Sequence, residues 1–180
     1  KNITTETLKN DFSFKGLITV GKIISVYDGD TCRIAFYLNN RLIKCNCRLL
    51  GIDTPEMKGK GVTEIEKKAG KIAKDALIRL VTKNGDIGRH SELIIIKFEG
   101  NGKYGRPLVT LYNINQLKLE TKKSLDSQFQ SLKFSINNQL IKDGYALEYG
   151  GGKKVTSDFW SRHINCKIEE VKTSLYPALN

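Results

Sequence analysis

DGDTCRIAFYLNNRLIKCNCRLLGIDTPE, residues 28–56, alternates as a two-stranded ribbon does. From Thr31 to Leu38, Cys32, Ile34, Phe36 and Leu38 fall on one face, with Arg33 and Tyr37 on the other. From Arg41 to Leu50 the chain returns with Ile43, Cys45, Cys47 and Leu49 on one side. Lys44, Asn46 and Arg48 occupy the opposite side. Asn39-Asn40 lies between the two runs and supplies a two-residue turn, because asparagine tolerates positive φ. Closing that hairpin carries Asp28-Gly29-Asp30-Thr31 back beside Arg48-Leu49-Leu50-Gly51-Ile52-Asp53-Thr54-Pro55-Glu56.

Working outward, Leu17–Tyr27 (LITVGKIISVY) is β-branched and apolar and predicts a preceding strand, with Gly21 marking a bend or bulge. Residues 1–16 are polar and aperiodic, an N-terminal arm. Downstream, Met57-Lys58-Gly59-Lys60-Gly61 is a loop. A helix is predicted over roughly Val62 to Thr82, with Val62, Ile65, Ala69, Ile72, Ala73, Ala76, Leu77 and Leu80 as its apolar stripe. Asn84-Gly85-Asp86 ends it, and Leu93–Phe98 predicts a buried fourth strand. The Gly100–Gly105 turn carries Lys103 and Tyr104, and Arg106 opens a fifth strand, PLVTLY.

Leu125, Phe129, Leu132, Ile136, Leu140 and Ile141 keep a helical period that Gly144 would close, followed by an extended piece around Tyr145–Tyr149. Gly150-Gly151-Gly152-Lys153-Lys154 is a flexible basic loop. Ser157 would cap a last helix, with Phe159, Trp160, Ile164 and Ile168 as its buried side. Five strands, one helix after the third and two after the fifth predict a mainly β chain with α (α+β), a five-stranded OB-fold barrel with about three packed helices. The expected organisation is one domain over residues 17–180, with an insertion near 113–138.

Lysine and arginine outnumber acids 30 to 19 across 180 residues, a net charge of +11. That excess favours a polyanionic partner, because neutralising phosphates releases condensed counterions. No apolar run approaches the roughly 18 residues of a membrane helix. Cys32, Cys45, Cys47 and Cys166 form no C-x-x-C pair, which argues against zinc and for a reducing, intracellular compartment. Lys1 in place of an initiator methionine leaves room for a removed leader.

Two carboxylates, Asp30 and Asp53, brought together at the open end of a hairpin repel one another unless a cation or base sits between them. Oxygen ligands select a hard ion, calcium or magnesium. Phosphodiester cleavage needs a metal on a non-bridging oxygen, guanidinium groups for the developing charge, and a base that orients water. Asp30 and Asp53 can hold the metal, Arg48 and Arg106 are bidentate phosphate donors, and Glu56 is the candidate base. His90 and His163 lie remote from these residues in sequence and are expected to be surface or satisfied structural residues, which disfavours a histidine-dependent nuclease.

Together with Lys103-Tyr104-Gly105-Arg106, these motifs resemble the staphylococcal nuclease (thermonuclease) family over about residues 17–112, and more weakly from Leu140 onward. The resemblance implies an OB-fold barrel and a calcium-dependent endonuclease, calcium rather than magnesium, acting on DNA and RNA. It implies metal ligation by Asp30, Asp53 and the backbone carbonyl of Thr54, and action of Glu56 on the attacking water. Arg48 and Arg106 would stabilise the transition state, and Lys103 and Tyr104 would hold the nucleotide. The products would carry a 3′-phosphate and a 5′-hydroxyl. The family's aromatic near the substrate base has its counterpart in Tyr149 or Tyr145. The expected partner is single-stranded DNA or RNA, or duplex DNA, bound by a monomer without a membrane.

Two alternatives stand beside this reading. One is a catalytically silent barrel that binds nucleic acid or protein. The other is a restriction-type nuclease, because Glu56-Met57-Lys58 downstream of Asp30 matches D…ExK; that class prefers magnesium and leaves a 5′-phosphate.

Overall fold

A computed structural model of the chain describes residues 13–88, 90–116, 132–152, 154–155, 158–160 and 162–163. Strands β1 (Ile18–Val26), β2 (Thr31–Leu38) and β3 (Arg41–Leu49) precede a two-residue strand, β4 (Ile52–Asp53). Helix α1 (Glu64–Val81) leads to β5 (Ile94–Asn101) and β6 (Pro107–Asn113). A 3₁₀ turn (Ile114–Gln116), helix α2 (Ile136–Lys142) and β7 (Leu147–Glu148) follow, and residues 158–160 are again helical.

Five strands close a barrel in the order β1-β2-β3-β6-β5, and β4 pairs with β7 beside it. The β3–β6 contact is parallel; the other barrel pairs are antiparallel. This is the predicted α+β barrel of the OB type. It is not the mixed sheet with flanking helices that the restriction-type alternative requires.

The hairpin forms as its sequence dictates. Asn39 and Asn40 adopt φ of 47° and 61°, and the pairing runs from Leu38↔Arg41 to Thr31↔Arg48. Cys32, Ile34, Phe36, Cys47 and Leu49 point into the barrel. The bulge in β1 lies between Ile23 and Ser25 rather than at Gly21. Gly21 serves close approach instead: a Cβ there would fall 2.5 Å from the Ala35 carbonyl oxygen of β2.

Helix α1 starts at its Thr63 cap, whose Oγ1 accepts the Glu66 N–H at 3.1 Å. Its buried face differs from the predicted stripe. Ile65 and Ile72 are 45% and 43% exposed, whereas Glu66, Ala69, Gly70, Ala73, Ala76, Leu77 and Val81 are buried. Close packing decides this, since the small residues let two loops approach the helix. A Cβ on Gly70 would fall 2.7 Å from the Pro55 carbonyl oxygen, and one on Gly29 2.8 Å from the Ala73 Cβ.

Other expectations are corrected by long-range contacts. Phe14, assigned to the arm, packs against Phe36 and Phe98 at ring distances of 5.5 and 5.0 Å. The second helix begins only at Ile136, capped by Ser135, and residues 132–135 are not helical. Leu125 and Phe129 lie outside the described residues, as do Ser157, Ile164, Ile168 and Cys166, and residues 1–12 of the arm. Trp160 is buried as predicted, but Phe159 is 39% exposed. Its ring stacks on His163, whose Nε2 is buried without a hydrogen-bond partner among the described residues, so His163 is not a satisfied structural histidine there.

Barrel closure depends on a residue that local sequence does not advertise. β3 and β6 pair only at Arg48↔Leu108 and Leu49↔Val109. Where that ladder ends, the buried carboxamide of Asn137 in α2 continues it. Its Nδ2 donates to the Leu50 and Val109 carbonyls at 2.9 and 3.1 Å, and its Oδ1 accepts the Leu111 N–H at 3.1 Å. Asn137→Ala leaves the buried Leu111 N–H without its acceptor, while the Val109 carbonyl keeps the Leu50 N–H, and should destabilise the fold by on the order of 2 kcal/mol. A lowered urea midpoint with unchanged slope checks this.

Candidate active site

The two ends of the hairpin motif meet. The Asp28-Gly29-Asp30 turn leans on the loop after β4, so that a Cβ at Gly29 would lie 2.9 Å from Thr54 Cγ2. The Asp30 N–H donates to Asp28 Oδ1 at 3.1 Å, and the Leu49 N–H donates to the Asp30 carbonyl at 2.8 Å. Asp30, Asp53 and Thr54 are 2%, 3% and 2% exposed.

Arg48 joins the acids. Its Nη1 lies 2.8 Å from both Asp30 carboxylate oxygens. Its Nη2 lies 3.2 Å from Asp53 Oδ1 and 3.3 Å from the Ile52 carbonyl. Burial, reinforced by the charge of Asp28, pushes Asp30 up to about 7 despite Arg48, the Thr31 hydroxyl and Lys154.

The sequence pointed to a basic loop at Lys154 but not to its role here. Lys154 Nζ lies 2.8 Å from Asp53 Oδ1 and 2.5 Å from Glu56 Oε1. Burial opposes its charge, but the hydrogen bonds and charges of both acids outweigh that and hold Lys154 above the ordinary lysine range. Glu56 is fixed a second way: its backbone N–H donates to Oε1 of buried Glu66 at 3.1 Å. Thr63-x-x-Glu66 has the form of a capping box, yet the glutamate reaches the site loop instead of its own cap.

A cleft of about 840 Å³ opens beside these groups, and Arg48, Lys103, Tyr104, Arg106 and Tyr149 line it. Tyr149 lies under the Arg48 guanidinium, 5.8 Å from ring centroid to Cζ, and its hydroxyl donates to the Gly152 carbonyl at 2.8 Å. Tyr145 packs against the core instead. Of the two aromatic candidates, Tyr149 is therefore the one in the cleft. Tyr104 is 83% exposed, with Lys103 Nζ 5.9 Å from its ring centre. Arg106 has no carboxylate partner among the described residues, in contrast to Arg48.

Among the described residues no three acidic, cysteine or histidine side chains gather as a metal cage. The donor chemistry nevertheless fits a hard cation. Asp30 and Asp53 are buried oxygen donors next to Thr54, and both turn toward the shared Arg48 guanidinium, a cation already held between them. His90 lies apart, paired with Asp86 at 3.3 Å.

The model of the staphylococcal nuclease homologue family matches residues 46–159. The match spans Arg48, Asp53, Thr54, Glu56, Arg106 and Tyr149 and begins downstream of Asp30. No curated protein matches the chain. The matched span is well over half of the 180 residues, and it holds the end of β3 together with β5 and β6 of the closed barrel. The chain belongs to the staphylococcal nuclease homologue family.

Proposed function

We propose that this protein is a calcium-dependent endonuclease that hydrolyses DNA or RNA to 3′-phosphate and 5′-hydroxyl ends. The observation that carries this reading is the convergence of buried Asp30 and Asp53 on Arg48, at the edge of a cleft that also holds Arg106. Asp30, Asp53 and the Thr54 carbonyl would hold calcium, which when bound polarises a non-bridging phosphate oxygen.

The chain's own residues do the rest. Arg106, without an acid partner among the described residues, takes the scissile phosphate and the charge that develops on it. Arg48 gives rigidity, because Asp30, Asp53 and the Ile52 carbonyl fix its guanidinium before substrate arrives. Glu56 orients the attacking water and accepts its proton as the new P–O bond forms, and the P–O5′ bond breaks with the 5′ oxygen taking a proton from solvent. Tyr104, Lys103 and Tyr149 hold the nucleotide in the cleft. The test is cleavage of single-stranded DNA in calcium, in magnesium and in chelator. Cleavage in calcium alone supports the proposal; equal cleavage in magnesium opposes it.

One observation favours a second reading, a silent binding barrel: Arg48 and Lys154 already neutralise the acids. Absence of cleavage in calcium, with oligonucleotide binding retained, would select it.

Lys154 makes a separate prediction. An ammonium 2.8 Å from Asp53 repels any cation held there. Lys154→Ala should tighten calcium binding on the order of tenfold, the equivalent of about 1.4 kcal/mol. Calorimetric titration with calcium measures it; weaker binding in the variant would mean that Lys154 organises the acids rather than competing with the ion.

A further inference from the structure

Resting on the nuclease reading, we infer that the outer face of the β2–β3 hairpin is a track that carries the nucleic-acid strand away from the scissile phosphate. Between Thr31 and Leu49 the hairpin holds four cationic residues, Arg33, Arg41, Lys44 and Arg48, and no acidic one. The register sorts them. Thr31↔Arg48, Arg33↔Asn46, Ala35↔Lys44 and Tyr37↔Leu42 are opposed pairs two residues apart, so all of them share the face turned away from the core.

That face therefore starts at Arg48, in the active site, and continues through Arg33 and Asn46 to Lys44 and Tyr37. Successive steps are about 6.5 Å, a spacing that lets successive cations meet successive phosphates of an extended strand. Arg33, Asn46 and Lys44 are exposed, and among the described residues neither Arg33 nor Lys44 has an acidic partner. A cation without an internal partner is the form that releases counterions on binding phosphate.

The track joins the active site physically. A groove of about 420 Å³ is lined by Ser25, Tyr27, Arg33, Asn46 and Arg106. Arg106 also lines the larger cleft with Arg48, Tyr104 and Tyr149. One guanidinium thus borders both depressions, and a strand whose scissile phosphate rests on it has a surface on either side. Two tyrosines offer stacking platforms along the way: Tyr27 is 60% exposed, with Lys58 Nζ 5.9 Å from its ring centre, and Tyr37 is 69% exposed. Such a path serves internal cleavage of a long strand, since nucleotides on both sides of the broken bond are held.

The experiment compares the wild-type protein with Arg33→Glu/Lys44→Glu and with Lys71→Glu/Arg79→Glu. The second variant makes the same change in net charge on the exposed side of α1. Binding of a twelve-residue oligothymidylate and of a thymidine dinucleotide is followed by fluorescence anisotropy in chelator, across a salt series. The hairpin variant should bind the long strand at least about tenfold more weakly, with a salt slope shallower by about 0.7 for each phosphate it no longer neutralises. Its dinucleotide affinity should stay within about twofold of wild type, and the α1 variant should match wild type on both ligands. Equal weakening by the two variants, or none by the hairpin variant, overturns the track while leaving the nuclease proposal standing. Failure of the wild-type protein to bind the long strand also overturns the track, and an intact strand in calcium overturns the nuclease proposal separately.

Discussion

Asp30→Asn is expected to abolish calcium-dependent cleavage and calcium binding while leaving the barrel folded. Asp30 is 2% exposed, and burial together with the charge of Asp28 already disfavours its ionised form. An uncharged isostere is therefore accommodated. Asparagine keeps the Oδ1 that accepts from the Thr31 hydroxyl and from Arg48, but its amide nitrogen replaces the second oxygen beside Arg48 Nη1, and it lacks the net charge that a hard cation requires. The melting temperature in chelator should fall by no more than about 8 °C, the equivalent of about 2 kcal/mol for a domain of this size. In wild type, calcium should raise the melting temperature, as any ligand specific for the native state does; in the variant it should not. A variant that still binds calcium with wild-type affinity would put the cation elsewhere.

Arg106→Ala is expected to lower kcat by about 10²–10³ with the fold untouched, if the guanidinium acts as one transition-state donor. It is the cleaner of the two arginines to remove. Arg48 contacts Asp30, Asp53 and the Ile52 carbonyl, so its loss leaves two buried acids without their shared partner and mixes instability with lost catalysis. Arg106 stands in the β5–β6 turn without an acid partner among the described residues, and its removal strands nothing there. Single-turnover kinetics beside a urea titration separate the effects. Wild-type turnover in Arg106→Ala would remove this residue from the chemistry.

The architecture was legible in sequence wherever local rules and tertiary packing agree. Asn39-Asn40 demanded the turn, and closing the hairpin set Thr31 opposite Arg48, which carried Asp30 and Asp53 to the same end. Local periodicity failed where distant backbone decides. Ile65 and Ile72 belong to a helical stripe, but Gly70 and Ala73 receive the two site loops, so the helix turns its small face inward. The apolar period over Leu132 gave no hint that Ser135 would cap the start of a helix.

Side chains whose partners are remote in the chain were the least visible. Lys154 meets Glu56 across 98 positions, and Asn137 meets Leu50 across 87. Nothing in the immediate surroundings of either residue names its partner. Glu66 carried a local pattern, the capping box, but tertiary contact redirected its carboxylate to the Glu56 backbone. The sequence marks Arg48 as a candidate phosphate donor but gives no sign that its guanidinium holds the two acids together.

End-group analysis of single-stranded DNA treated with the wild-type protein, with and without calcium, tests the proposed chemistry most directly. Fragments bearing 3′-phosphate and 5′-hydroxyl ends, formed only when calcium is present, are the predicted result. Fragments with 5′-phosphate ends, or an intact strand in calcium, would contradict it.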